Sequence, residues 1–449
     1  MGECADRLLD HMQQRTGFDV PYADVKELQI AAMNERFQEQ VDRIKLVAMR
    51  AKEAGITEIR SLEDAVPLLL PHTAYKSYPE SFLAEEKWDK LTRWLNSVSA
   101  YPTGNTELTD IHGIDQWIDR LQQAGHFVSC SSGTTGKSAM LVASAADIAF
   151  GKQELIQAYC WSLGIDPDQD ARMFGLAPVA HVPKNVALGD ALTEAFARPD
   201  VEPFRYPVPP ITVGSITGMI VLRKAMTEGT ALPEQIAQFE ATSAERQKAM
   251  ADAAGIAADA LIEARQDKLF LTGMWASLYA IAVEVRNRGY SAADFNPENM
   301  IYVGGGLKGA QLPEDYREFV YETFNIRPER NFQMYGMQEL QSSMPRCREG
   351  GRYHIPAWLV CLPLNKEGDA LMPMDQGEVQ ARAAFFDLSM DGRWGGVISG
   401  DRIEVDFSPC ACGSHSPSIA DTVARYSDLE GDDKIGCAGT VDAYVRGIS

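Results

Sequence analysis

Hydrophobic positions early in the chain recur at helical spacing. Leu28, Met33, Phe37, Val41, Ile44 and Val47 share one face of residues 25–54, which predicts a single amphipathic helix stopped by Gly55. From about residue 127 the texture changes. The short apolar runs "RMFGL", "GMIVL", "KLFLT" and "NMIYV" each end near glycine or a turn and predict strands. Between them lie helical patterns such as "PEDYREFVYETF" and the alanine-rich polar stretch 232–266. Strands alternating with helices predict an α/β core. After about 331 the runs "AWLVCLPL", "GEVQARAAFF" and "GVISGDRIEVDF" are joined by acidic glycine-containing turns, which predicts a smaller β-rich subdomain. The expected parts are a helical region 1–120, an α/β core 121–330, a β-rich subdomain 331–425 and a tail 426–449 that is too short to fold alone.

Composition narrows the function. A chain of 449 residues suits two or three packed subdomains with a buried cleft. Its net charge of −21 repels nucleic acid and anionic lipid, and no Lys/Arg run provides a local exception. The start, "MGECADRLLDHMQQ", lacks the charged and apolar segments of a secretory signal, and runs such as "AVPLLL" are too short to cross a membrane. These features predict a soluble, cytoplasmic protein without nucleic-acid or membrane partners. Eight cysteines in so long a chain do not form a disulfide scaffold.

Residues 129–141, "SCSSGTTGKSAML", combine glycines, hydroxyls and one cation. Backbone N–H groups and hydroxyls of Ser131, Ser132, Gly133, Thr134, Thr135 and Gly136 suit a polyphosphate, with Lys137 offsetting its charge. The common nucleotide loop needs four residues between its glycine and Gly-Lys, whereas only Thr134 and Thr135 separate Gly133 from Gly136, so a different nucleotide fold is implied. Such a stretch alone also makes ordinary turns.

Three further stretches follow it: "MYGMQEL" at 334–340, "ISGDRIEV" at 398–405 and "ARYSD" at 424–428. In this order and approximate spacing, the four resemble the motifs of adenylate-forming enzymes of the acyl-CoA synthetase superfamily. Within it the chain looks most like phenylacetate:CoA ligases and more distantly like acyl-protein synthetases. The likeness runs from "LPHTAYKSYPESFL" near residue 70 almost to the C-terminus. It implies the large α/β N-terminal domain of that superfamily with a β-rich subdomain, and reads 426–449 as a short remnant of the C-terminal lid. It also implies a nucleotide site formed by the 131–137 loop, by Gly304, Gly305 and Gly306 of "VGGGLKG", and by Tyr335, Gly336, Met337 and Gln338. Tyr335 offers a face to adenine, Glu339 is a hard oxygen ligand for magnesium on the phosphates, Asp401 accepts the ribose hydroxyls, and Arg425 approaches the nucleotide near the hinge. Gln338 departs from the family, which commonly has Ser or Thr there. The tail departs too, since Lys434 is a poor match to the lysine that the mobile lid supplies for adenylation.

Cys347, His354, Cys410 and Cys412 form a separate set. Three thiolates and an imidazole are a tetrahedral zinc set, and phenylacetate:CoA ligases show a similar arrangement, so one structural zinc is expected, against the alternative of unpaired thiols in a β region. His181 in "APVAHVPKN" and Trp275 in "LTGMWASLYA" are expected substrate-pocket residues, each with a plain structural alternative.

The expected activity is ATP-dependent activation of a carboxylic acid, aromatic or bulky and apolar, as an acyl-adenylate with pyrophosphate release. Transfer to a thiol follows, with CoA the acceptor implied by the resemblance. Catalysis falls to Lys137 and Glu339; ATP, Mg2+ and Zn2+ are the ligands. An acyl-protein synthetase using Cys437 or a partner protein is one alternative, and a non-catalytic nucleotide-binding subunit is another. Assembly stays open between a monomer and a homodimer.

Overall fold

A computed structural model of the chain describes residues 2–104, 106–130, 137–178, 180–305, 307, 310–374, 377–430 and 435. The described residues fall into two compact units. One comprises Met1–Trp161, Val182–Lys184 and Met334–Ser449; the other comprises Ser162–His181 and Asn185–Gln333.

The first unit opens with helices and ends in a sheet. Residues 25–54 form two helices rather than one, Tyr22–Gln40 and Lys45–Ala54. Side chains near the end of the first bond elsewhere in the unit: Arg36 donates to Leu388 O at 2.9 and 2.6 Å, and Gln40 to Met390 O at 3.3 Å. Ile44 then takes an extended conformation and is fully buried, after which the chain re-enters a helix. Gly55 caps that second helix at φ 68°, a left-handed geometry that favours glycine.

The sheet of this unit is mainly antiparallel. Across it run Tyr353–His354, Ser418–Ile419, Gly396–Asp406, Glu378–Asp387 and Leu359–Cys361, while Leu70–Pro71 and Ala424–Arg425 also pair with the Gly396–Asp406 strand. Leu340, Met344, Phe385, Val397, Ile403, Val405 and Ile419 fill its core. Glu378–Asp387 alternates exposed and buried only at its start and is then buried continuously, the pattern of a strand covered on both faces. A separate antiparallel pair, Phe127–Cys130 with Met140–Ala143, flanks the glycine-rich stretch in sequence.

The second unit is built on a five-stranded parallel sheet in the order Phe204–Arg205, Arg172–Gly175, Leu269–Gly273, Met300–Val303 and Asn331–Phe332. Parallel pairing requires crossovers, and helices Pro233–Glu263, Trp275–Asn287 and Tyr316–Phe324 pack with it through Leu261, Leu278, Ile281, Val320 and Phe324. "GMIVL" is not a strand here. It lies within helix Val213–Thr227, whose N-cap Thr212 accepts from Ser215 N at 3.1 Å. A five-residue apolar run carries no period able to separate strand from helix, and the cap decided the outcome. The described residues contain no helix long and apolar enough to cross a membrane.

Candidate active site

Three of the expected nucleotide residues converge in the first unit. The short strand Met334–Tyr335 pairs with Met344–Pro345 and seats Tyr335 against the core of the large sheet. Register places Asp401 opposite Arg425 on neighbouring antiparallel strands. The Tyr335 hydroxyl donates to Asp401 Oδ2 at 2.9 Å, and Arg425 Nε lies 3.8 Å from Asp401 Oδ1. Burial, followed by the Asp401 carboxylate, holds the Tyr335 phenol well above its ordinary pKa, so it stays protonated and a donor. Arg425 is exposed while Asp401 is largely covered, which leaves the guanidinium facing solvent beside a buried carboxylate.

Gly336 to Glu339 leave this strand as a turn, closed by Leu340 N on Met337 O at 3.1 Å. Glu339 therefore sits on a turn. Met337 packs on the sheet core, Gln338 is exposed and Glu339 is half-buried. Beside Glu339 stands Lys76, a residue that motif reading passed over. Burial lowers its ammonium pKa, with Glu339 opposing the shift and Arg425 adding to it.

Lys137 follows the glycine-rich loop directly. Its Nζ donates to Tyr78 O and lies 4.4 Å from the centre of the Tyr78 ring, while the Tyr78 hydroxyl donates to Ser138 O at 2.7 Å. These contacts anchor the outgoing end of the loop. Ser131, Ser132, Gly133, Thr134, Thr135 and Gly136 lie outside the described residues, as do Gly306, Lys434 and Cys437.

Residues 340–343 have no regular structure, yet side chains from elsewhere in the first unit hold their backbone. Lys184 donates to Leu340 O at 3.1 Å, Asp387 Oδ2 accepts from Gln341 N and Ser342 N at 2.8 Å each, and Glu154 accepts from Ser343 N at 2.9 Å. Burial pushes Glu154 up to about 8 and Lys184 down to about 8. For Glu154 the sign is definite. A raised carboxyl pKa stabilises the fold below the ordinary value of 4.5, and that contribution is lost as pH rises towards 8. Glu154→Gln cannot ionise and keeps an acceptor for Ser343. Its stability relative to the parent should climb between these two values and then level off in urea unfolding measured across pH; a flat difference would mean that Glu154 titrates normally.

In the second unit, Gly304 N donates to Gly273 O at 3.0 Å and Gly305 takes φ 73°. Trp275 is buried in the core, edge-on to Tyr316 at 5.2 Å and Tyr321 at 6.0 Å. Its packing is that of the structural alternative. His181 is exposed, with its backbone N–H on Ile211 O at 2.8 Å.

The cysteine and histidine set assembles in the first unit, with all four ligand atoms within 4.8 Å of one another. Cys347 Sγ lies 3.9 Å from Cys410 Sγ, and Cys412 Sγ 3.5 Å from His354 Nε2. Tetrahedral zinc, with bonds of about 2.3 Å to sulfur and about 2.0 Å to nitrogen, puts its ligands about 3.8 Å and about 3.5 Å apart. The spacing fits zinc. His354 Nδ1 meets the hydroxyls of Ser414 and Ser416 at 3.1 and 3.2 Å, which orients the ring with Nε2 towards the thiols. Arg352 N points at Cys347 Sγ at 3.4 Å, and a Cβ at Gly350 would collide with Cys410 Sγ.

Comparison of the whole chain with solved structures finds 2-hydroxyisobutyryl-CoA ligase. In its postadenylation state with R3-HIB-AMP, that enzyme matches with a TM-score of 0.54 at 12% identity over 92% of this chain and 70% of its own. In an open conformation with 2-HIB-AMP and CoA it matches with a TM-score of 0.53 at 12% identity, over 92% and 73%. The chain has the fold of these CoA ligases. Sequence comparison alone does not reach this result, because no protein-family model and no curated protein matches the chain. At this identity the CoA-ligase fold is the common property, and the side chains must carry any argument about chemistry.

Proposed function

We propose that this protein activates a carboxylic acid with ATP, releasing pyrophosphate, and passes the acyl group from the adenylate to a thiol, with CoA the acceptor. The observation that carries this reading is the convergence of three separate sequence motifs on one carboxylate: Tyr335 and Arg425 both address Asp401, on a CoA-ligase fold.

A carboxylate is a poor electrophile, since its charge repels nucleophiles and oxide leaves badly. Joining it to AMP supplies a stable leaving group. In this reading Asp401 accepts the ribose hydroxyls with its orientation fixed by Tyr335, and Arg425 approaches the nucleotide from the exposed side. The loop 131–136 holds the β- and γ-phosphates through backbone N–H groups, with Lys137 at its end supplying positive charge. A bound magnesium would neutralise phosphate charge, and Glu339 is suited to hold it, being a half-buried carboxylate on a turn; one or two carboxylates with water is the usual protein share of such a site. The protein's own contribution is to position the acid against the α-phosphate and to offset the charge that develops there. The Cys347, His354, Cys410 and Cys412 set is a structural zinc site, since four protein ligands leave no open position. The acid is aromatic or bulky and apolar in this proposal.

ATP–pyrophosphate exchange against aryl, fatty and small hydroxy acids, with and without CoA, tests the reading. Exchange with one class of acid and acyl-CoA formation on adding CoA are expected. A chain that binds ATP without exchange in any acid would instead be a nucleotide-binding subunit. Within the site, Tyr335→Phe keeps the ring and removes the donor to Asp401. It should weaken ATP binding about tenfold, the ~1.5 kcal/mol of a hydrogen bond to a charged group, as read by calorimetric titration. An unchanged affinity would detach Asp401 from the nucleotide.

A further inference from the structure

Arg393 is a fully buried guanidinium that bonds to backbone carbonyls. Its Nη1 donates to Val142 O at 2.8 Å, and its Nη2 to Gln338 O and Glu339 O at 3.0 Å each. Val142 lies on the Met140–Ala143 strand, which follows the glycine-rich loop and Lys137. One side chain thus ties the strand leaving that loop to the turn carrying Glu339.

The arginine is itself held in place. Asp147 is fully buried and accepts from Asp391 N and Gly392 N at 2.8 Å each, fixing the two residues before Arg393. A Cβ on Gly392 would come within 2.6 Å of Asp147 Oδ2, so only glycine admits this approach. With Lys184, Asp387 and Glu154 on the following residues, the backbone from 338 to 343 is gripped by ionisable side chains, most of them buried. Stability alone does not call for this arrangement, because a buried charge is costly and an apolar residue would fill the space at least as well. Buried donors in a fixed fork do give a turn without regular structure one definite position.

We propose that Arg393 is a positioning residue for Glu339, holding the turn that carries this carboxylate at a fixed place relative to the Met140–Ala143 strand, so that the magnesium of a magnesium–ATP complex meets it. This rests on the reading of Glu339 as the magnesium-facing group. Arg393 touches neither nucleotide nor metal in this account. It acts through the carbonyls of Gln338 and Glu339, as outer partners of a metal ligand do, and loss of such partners typically weakens metal affinity about 10- to 100-fold.

The test is the binding of a fluorescent N-methylanthraniloyl ATP to the full chain, titrated with Mg2+ and repeated in EDTA. Glu339→Gln and Arg393→Gln should each raise the Mg2+ concentration for half-maximal binding about tenfold or more. The double variant should be no worse than either alone, and Arg393→Gln should bind the nucleotide in EDTA as the parent does. Arg393→Lys, which keeps the charge and part of the donor set, should fall between parent and Arg393→Gln; it is the variant measured if Arg393→Gln does not fold. Additive effects, or equal losses with and without Mg2+, would overturn the proposal and leave Arg393 a residue of general stability. If the parent shows no Mg2+-dependent binding, the reading of Glu339 fails first, and this result is distinct from the other two.

Discussion

Glu339→Ala and Lys137→Ala are each expected to lower ATP–pyrophosphate exchange by about 10²-fold or more, the scale of losing one preorganised charge-stabilising contact in an active site. The two should differ in their Mg2+ response. Removing Glu339 takes away a hard oxygen ligand, so part of the loss should be recovered at high Mg2+. Removing Lys137 takes away a cation that no concentration of Mg2+ replaces in the same place. Among its contacts Lys137 donates to the Tyr78 carbonyl and lies over the Tyr78 ring, at the residue that directly follows the glycine-rich stretch. Near-parental exchange in both variants would remove the loop and the turn from the phosphate site.

Some of this arrangement was legible in the sequence, for identifiable reasons. The strands Arg172–Gly175, Leu269–Gly273 and Met300–Val303 are short apolar runs ending at or near glycine, which is how buried parallel strands read. "GMIVL" has the same composition and became helix, because the signal that decided it, the Thr212 cap, lies outside the run. The break between Gln40 and Lys45 was hidden because the apolar spacing runs on through it, Val41 and Ile44 included. Tyr335, Asp401 and Arg425 stood out because each lies within a recognisable short motif. Arg393, Asp147, Glu154, Lys184 and Asp387 did not. A lone charged residue in a sequence looks like solvated surface, and only the fold shows that Arg393, Glu154, Lys184 and Asp387 bond the backbone of one turn while Asp147 holds the residues before Arg393.

The cysteine and histidine cluster shows how far a ligand set can be carried from sequence to a measurable effect. Metal analysis of the purified chain should find about one zinc per molecule, and Cys412→Ser should cost ~3 kcal/mol of stability, a fraction of the ~10 kcal/mol that a structural zinc contributes in small domains. In a chain of this size that is a fall in melting temperature of roughly 3 °C. The loss is limited because Tyr353–His354 and Ser418–Ile419 remain paired in the sheet without metal. Nucleotide affinity should change little. Neighbouring residues of a strand face opposite ways, so while His354 meets the thiols, Tyr353 turns towards Tyr335, with ring centres 6.1 Å apart, and makes its hydrogen bond to Asp421 rather than to any cluster residue. Chelation with a strong zinc ligand should reproduce the variant's lower melting temperature in the parent and leave Cys412→Ser unaffected. A parent free of metal, or one whose stability survives chelation unchanged, would show that the cluster is three thiols and an imidazole packed together without an ion.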